Sequence, residues 1–514
     1  MTAASASAGA AASAGITGDR KKEIVGLFLG IAFLFYTLFT TPPEGISVSA
    51  WKTIGVTMLM ATWWMLEAIP ISVTALVPLV LFPALGIMSA KDVAPNYAQD
   101  LIWLFVGGFA LAYAMETWNL HRRVSLLVLK ICGTNPKMLI LGFMIATGFL
   151  SAWMSNTACA ALMMPIGMAI VKMVQEGEGR SEVEKKAAIN FGICVMLGIA
   201  FSASMGGMAT LIGTPPNAVM AGQVEKMTGT AVPFANFMLV GGPIGIALLA
   251  IGWWLLPVMF PIKALDLTAA GAIVDEELEK LGPMSKGETY TTILFVATAL
   301  FWVLRPQILG LLPAVSLGGK LTPLAKVMSD STIGMLALLL AFIIPVDFKK
   351  GRMLLDNSLF SKGIPWDAII LFGGGFALGA ALDKSGVSAY VASQMQGLAG
   401  MSSLLIMAIL ALVSMLLTQM TSNTAVAATF VPLAISIAQG LGVSPLLMAI
   451  PVALGASLAF SLPVATPPNA IVFGSGLIRV PDMFKSGMTL NLIGIVISIA
   501  VMYVMMPIAF GVKL

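Results

Sequence analysis

The chain repeats itself, and the repeat is written in residues that interrupt helices rather than residues that fill a core. Ser155-Asn156-Thr157 recurs as Ser422-Asn423-Thr424. Upstream, Gly107-Gly108-Phe109-Ala110-Leu111 recurs as Gly374-Gly375-Phe376-Ala377-Leu378, and both motif pairs are offset by 267 residues. Pro165 and Pro432 keep that offset. Thr214-Pro215-Pro216-Asn217 then recurs as Thr466-Pro467-Pro468-Asn469 at an offset of 252. The difference corresponds to a charged loop, Glu176 to Lys186, that only the first half carries. Any fold for this chain must therefore place two copies of each polar motif in corresponding positions.

The motifs sit in sequence suited to a bilayer. The 514 residues are 58% hydrophobic and 10% charged, whereas soluble domains carry about 25% charge. Many apolar runs reach the roughly 20 residues that cross a hydrocarbon core. Residues 1–20 read as a disordered tail, Ala/Ser/Gly-rich over 1–18, and not as a signal peptide, because the basic cluster Arg20-Lys21-Lys22 comes after the Ala/Ser/Gly-rich stretch. Scaffold helices are expected over 21–100, including one span over 69–88. The first repeat core follows over 101–232, with a broken hairpin at 137–175 and an interrupted helix at 188–222. Further scaffold helices fill 233–365, with a cytoplasmic linker over 262–288 whose acidic run from Asp275 reads as an amphipathic surface helix. The second core covers 366–478, with a hairpin at 402–438 and an interrupted helix at 446–478; a last helix occupies 479–514.

Basic residues orient this arrangement. With a cytoplasmic N-terminus, and with both hairpins returning to the side they entered from, twenty of the 28 Lys and Arg residues fall inside. Under that scheme the basic segment from His121 to Lys137 is inside, while its counterpart from Ser385 to Ser403, without Lys or Arg, is outside. Matching segments on opposite sides define an inverted repeat, an architecture of secondary transporters that bind substrate near the midplane.

Non-helical backbone at membrane depth is tolerated only where protein or water satisfies it. A single Ser-Asn-Thr would read as a helix-packing feature and a single Pro-Pro as a kink. Two copies of each, in register, point to a binding site. Ser, Asn and Thr are good N-caps, so each hairpin tip would aim a helix start at a small anion. Thr-Pro-Pro-Asn removes amide donors; the carbonyl oxygens so freed, with the Ser, Thr and Asn side chains, suit a small hard cation. No Lys or Arg lies within or next to the motifs, so a bound anion would need co-bound cations. Glu116 and Asp383 are repeat equivalents near helix ends, with interfacial positions favoured over proton coupling; Glu67 lies near a turn. Cys132, Cys159, Cys194 and the single His121 form no disulfide frame or metal cluster. The scattered charge gives no nucleic-acid surface. No nucleophile–base pair or phosphate loop supports an enzyme, and no continuous polar path supports a channel.

These paired motifs in inverted repeats resemble the divalent anion:sodium symporters, which include sodium-coupled dicarboxylate transporters. The resemblance spans nearly all of the chain after residue 20. It implies an all-α integral membrane protein, a homodimer of protomers with about eleven transmembrane helices, two re-entrant hairpins and two interrupted helices, moving by an elevator mechanism. One sodium site would use Ser151, Ser155, Asn156 and backbone near Gly213. The other would use Thr418, Ser422, Asn423 and backbone near Ala465. A dicarboxylate would lie between Asn156, Thr157, Asn423 and Thr424, with Thr214, Thr466 and Pro467 lining the pocket. The implied activity is Na+-coupled symport of C4-dicarboxylates across the cytoplasmic membrane; an exchanger independent of sodium, or a citrate or sulfate symporter, are the alternatives. The exchange of Gly213 for Ala465 between halves makes unequal cation sites an expectation.

Overall fold

The structure, a computed structural model, describes residues 3–176, 181–262, 265, 267–318, 320–394 and 400–512, with side chains from Arg20 onward. Arg180 and Lys263 of the inside set, and residues 395–399 of the outside segment, lie outside the described residues. Among the described residues, eight helices are long and apolar enough to cross a membrane, and five shorter apolar helices accompany them. Among the described residues, strands occur only in two small hairpins, β1 (Val315–Leu317) with β2 (Lys320–Thr322) and β3 (Pro345–Asp347) with β4 (Arg352–Met353).

Helix α1 (Ala3–Phe39) starts inside the stretch expected to be a disordered tail; its many alanines have the highest intrinsic helix propensity. It packs along α2 (Val48–Leu66), which ends at Glu67 in the left-handed conformation, φ 49°. The single span expected over 69–88 is instead two short helices, α3 (Ile71–Thr74) and α4 (Val77–Ala84), with Pro78 at the start of the second. The backbone opened between them is not left bare, because the Tyr97 hydroxyl donates to Ala75 O. Then come α5 (Ala90–Val93), a 3-10 turn (Ala94–Ala98), α6 (Asp100–Thr117) with the first glycine motif, and α7 (Leu120–Cys132).

The first hairpin is α8 (Pro136–Ser151) and α9 (Asn156–Gln175), and the first interrupted helix is α10 (Glu182–Gly207) with α11 (Pro215–Thr228). Next come α12 (Phe234–Met259), the linker helix α13 (Thr268–Leu281), α14 (Lys286–Val303), α15 (Arg305–Gly310), α16 (Leu324–Val327) and α17 (Asp330–Ile343). The second half repeats the plan. Helix α18 (Trp366–Ser385) carries the second glycine motif, followed by α19 (Val387–Gln394). The hairpin of α20 (Ser403–Thr418) and α21 (Asn423–Leu441) precedes the interrupted α22 (Pro445–Ser457) and α23 (Pro467–Phe473), and α24 (Val480–Phe510) closes the chain.

The halves interlock, which is what brings their motifs together. Helix α6 packs on α17 of the second half, while α18 packs on α3 and the 3-10 turn of the first. Glycine makes both contacts possible. A Cβ on Gly107 would lie 2.4 Å from the Gly334 backbone, and one on Gly374 would lie 2.4 Å from Ala75 O. Beyond the breaks, α11 packs against α21 and α22, and α23 against α9 and α10. Phe201 on α10 meets Phe460 beyond α22 with centroids 5.2 Å apart. Gln223 on α11 donates from Nε2 to Gly375 O and Ala428 O, both at 3.2 Å. The linker side is held by ions: Arg122 pairs with Glu277, Lys130 with Asp275 at 2.8 Å, and Arg123 with the buried Glu288 at 2.6 Å.

Candidate functional site

Four helices begin at the motifs. Ser155 and Ser422 occupy the N-cap positions of α9 and α21 with nearly equal backbones, φ −59°, ψ 130° and φ −62°, ψ 128°. Thr214 and Thr466 precede α11 and α23, again matched, at φ −148°, ψ 141° and φ −146°, ψ 151°. Each of the latter helices has prolines in its first turn, where a missing N–H breaks no intrahelical bond. All four starts line one cavity of about 930 Å³. Its wall includes both Ser-Asn-Thr motifs complete, Gly213, Ala465, Thr214, Thr466 and Pro467. Ser151 and Thr418, by contrast, do not reach the cavity surface; they are fully buried behind the two tips.

Behind the first tip, one side-chain amide position of Asn156 lies 2.6 Å from Ser151 Oγ, 3.1 Å from Gly213 O and 3.2 Å from Ala203 O. Turned so that nitrogen occupies it, the amide donates to those oxygens. With oxygen there, it completes a cluster of oxygens short of donors, which a hard cation satisfies. Behind the second tip, Thr418 Oγ1 lies 2.6 Å from Asn423 Oδ1 and 2.7 Å from Ala456 O, two acceptors for its single proton. Ser422 Oγ accepts weakly from Ala425 N at 3.5 Å, whereas Ser155 makes no capping bond and leaves its hydroxyl free for another ligand. Of the residues named from sequence, Ser151, Asn156 and Gly213 O thus stand together behind the first tip and Thr418 and Asn423 behind the second, where the nearby carbonyl is that of Ala456 rather than one at Ala465; Ser155, Ser422 and Ala465 line the cavity itself.

The motif asparagines of Thr-Pro-Pro-Asn do something other than expected. Asn217 Nδ2 donates to Gly207 O (3.3 Å) and Thr210 O (2.8 Å), and Asn469 Nδ2 donates to Ala459 O and Leu462 O, both at 2.9 Å. These fully buried amides therefore staple four carbonyls of the breaks, none of them at Gly213 or Ala465, the positions the resemblance implied for the cations. Two further staples carry no repeated signature. The Thr210 hydroxyl donates to Ala152 O and accepts from Gly213 N at 3.0 Å. Gln419 donates to Met415 O and Leu458 O, both at 2.8 Å, and accepts from Ser461 N at 3.1 Å. Sequence reading also missed part of the cavity wall: Phe105 and Phe109 from α6, Thr421 beside the second tip, and the charged Lys22, Glu23 and Glu67. The Phe109 signal was present in the glycine motif itself. Glu116 and Asp383 are exposed near the ends of α6 and α18, as their positions suggested.

Comparison with known proteins gives this geometry its context. The family model for the sodium:sulfate symporter transmembrane region matches residues 21–510. The chain belongs to this family of divalent anion:sodium symporters. The family's members are membrane transporters, not enzymes. A relative in Staphylococcus saprophyticus, the sodium-dependent dicarboxylate transporter SdcS, is 36% identical over 491 residues, covering 95% of this chain and 92% of that protein. SdcS of Staphylococcus aureus is 37% identical over 494 residues, covering 96% and 93%. Among solved structures, Neisseria gonorrhoeae MtrF, described within a class of antimetabolite efflux pumps, superposes with a TM-score of 0.54 at 11% identity, covering 93% of this chain and 94% of MtrF. At that identity the likeness speaks for the fold alone.

Proposed function

We propose that this protein is a sodium-coupled symporter of C4-dicarboxylates such as succinate, fumarate and malate. The observation that carries this reading is the convergence of four matched helix starts on one cavity, with an oxygen cradle behind each hairpin tip. Each helix start presents free N–H groups and the positive end of a dipole. Two such tips on one cavity match the two carboxylates of a short diacid, with Asn156 and Thr157 taking one end and Asn423 and Thr424 the other. Thr214, Thr466 and Pro467 complete the pocket. The relatives named as sodium-dependent dicarboxylate transporters support the substrate class.

Coupling follows from charge. The only basic side chain lining the cavity, among the described residues, is the exposed Lys22. A dianion at the tips therefore has no fixed cation to neutralise it, and moving it alone through a low-dielectric protein would be very unfavourable. One Na+ held by Ser151, Ser155, Asn156 and Gly213 O, and one held by Thr418, Ser422, Asn423 and backbone near Ala465, make the loaded site neutral. Sodium binding also fixes Asn156 and Asn423, the residues that face both cation and anion, so each ligand organises the other's site.

Inverted repeats that interlock as these do are compatible with an elevator movement of the hairpins and interrupted helices past scaffold helices, in a homodimer of eleven-span protomers. The bias of Lys and Arg towards one set of loops supports a multi-pass chain in the inner membrane with a cytoplasmic N-terminus. Uptake of labelled succinate into proteoliposomes, with an inward sodium gradient against a choline control, tests the reading. Strong dependence on external sodium, with competition by fumarate and malate, is the expected result. Uptake indifferent to sodium but dependent on internal dicarboxylate would make the protein an exchanger.

A further inference from the structure

A second cavity, of about 540 Å³, lies away from the substrate site, where the ends of α6 and α17 meet the β3–β4 hairpin. Two cations face it, Lys350 and Arg352, and neither is well paired. Arg352 lies over the Trp118 ring, 4.3 Å from its centroid; among the described residues its guanidinium is in no salt bridge or side-chain hydrogen bond, and the Asp356 carboxylate acts on it only through space. The indole is itself fixed, since its Nε1 donates to Leu354 O at 2.8 Å. Stacking thus orients the guanidinium while leaving its N–H donors open. Lys350 has only Asp347 within reach, at 3.9 Å and largely exposed to solvent. The backbone N–H groups of Lys349 and Lys350 both donate to Asp347 Oδ1, which pins the turn that presents Lys350.

The remaining polar wall is suited to a multidentate acceptor. The Tyr113 hydroxyl lies 3.0 Å from Ser358 Oγ at the cavity wall. The one carboxylate in the lining among the described residues, Asp356, is already engaged by the N–H of Ser358 (2.8 Å) and by its hydroxyl. Apolar surface borders the same place. Phe348, at the hairpin tip beside Lys350, is 84% exposed, and Ile343 at the end of α17 is 66% exposed. Basic groups over a polar cavity, flanked by bare aromatic and aliphatic side chains at helix ends, have the profile of a protein surface at the level of lipid headgroups.

We propose that this cavity binds the phosphate headgroup of an anionic phospholipid, with Arg352 and Lys350 on the phosphate and acyl chains lying along Ile343 and Phe348. The site is separate from the transport cavity and needs no transport to be tested. Purified protein in neutral detergent would be mixed with phosphatidylglycerol or phosphatidylcholine, and retained lipid counted by native mass spectrometry. The wild type should retain phosphatidylglycerol in preference to phosphatidylcholine. Lys350→Gln with Arg352→Gln should weaken that retention by at least about ten-fold, since each basic group near a membrane surface is worth roughly five-fold. Lys349→Gln with Lys362→Gln removes equal charge from the same region outside the cavity and should cost clearly less retention than the cavity double variant, because only the general surface attraction is lost. Arg352→Lys should lie between, keeping charge but losing the stacked fork. Equal losses from the two double variants, or unchanged retention in the first, would overturn the site. Displacement of phosphatidylglycerol from the wild type by millimolar inorganic phosphate would show a free-anion site and overturn the lipid assignment.

Discussion

The two cradles have the same plan and different tolerances. In the first, a Cβ on Gly213 would meet Gly207 O at 2.5 Å and Ala152 O at 3.1 Å, so only glycine fits where the break passes the tip. In the second, Ala465 occupies the equivalent position and is buried without difficulty. The first tip is stapled by a hydroxyl from the break, Thr210 onto Ala152 O. The second is stapled in the opposite direction, by the tip residue Gln419 reaching onto the break. Duplication therefore preserved the Ser-Asn-Thr and Thr-Pro-Pro-Asn motifs while their supports diverged. The lesson is that one polar motif can keep its backbone geometry in two copies through different second partners, provided the backbone around it is held still.

The largest effects should come from what the halves share. Asn156→Ala and Asn423→Ala should each reduce sodium-driven succinate uptake by about 100-fold or more, since even outer partners of a bound metal are worth roughly 10–100-fold. Near wild-type uptake by either variant would remove that residue from the site. The next effect should split the halves. Gly213→Ala should weaken sodium activation of uptake by about ten-fold and lower stability by roughly 1–3 kcal/mol through overpacking, whereas Ala465→Gly should stay within about two-fold. Equal sodium activation curves for the two variants would break the claimed asymmetry.

Smaller changes are expected at the staples. Thr210→Val strands Ala152 O and Gly213 N, and Gln419→Leu strands Leu458 O and Ser461 N; each should lower stability by about 1–3 kcal/mol, read as a drop in Tm. If sodium restores Tm in Thr210→Val but not in Gln419→Leu, or the reverse, the staples belong to separate cradles. Identical rescue would merge them. The smallest effect belongs to Glu116→Gln and Asp383→Asn, which should leave the pH profile of uptake unchanged. A shifted profile would return proton coupling to the account.

Much of this arrangement was legible in the sequence because helix interruptions in a membrane chain have to be written in Ser, Thr, Asn, Gly and Pro. The two offsets marked the four helix starts at Ser155, Ser422, Thr214 and Thr466, all of which line the cavity, whereas Ser151, Gly213, Thr418 and Ala465 came only with the family resemblance. What escaped had no repeated signature. The break at Ala75 is satisfied by a tyrosine 22 residues away, and no local pattern announces such a partner. Asn217 and Asn469 were visible as motif residues, but their role depended on which carbonyls the loop turned inward. Lys22 and Glu67 reach the cavity only because α1 and α2 pack where they do. The Ala-rich start was assigned from composition, which does not separate a polar tail from a helix rich in alanine.

The central claim is that both cradles carry sodium with each dicarboxylate. Parallel uptake of radiolabelled sodium and labelled succinate, in the same proteoliposomes, tests it most directly. Succinate should drive sodium entry, with at least two sodium ions entering per succinate, and Asn156→Ala should abolish both fluxes together. Succinate entering without sodium, or with fewer than two ions, would contradict the account of paired cradles.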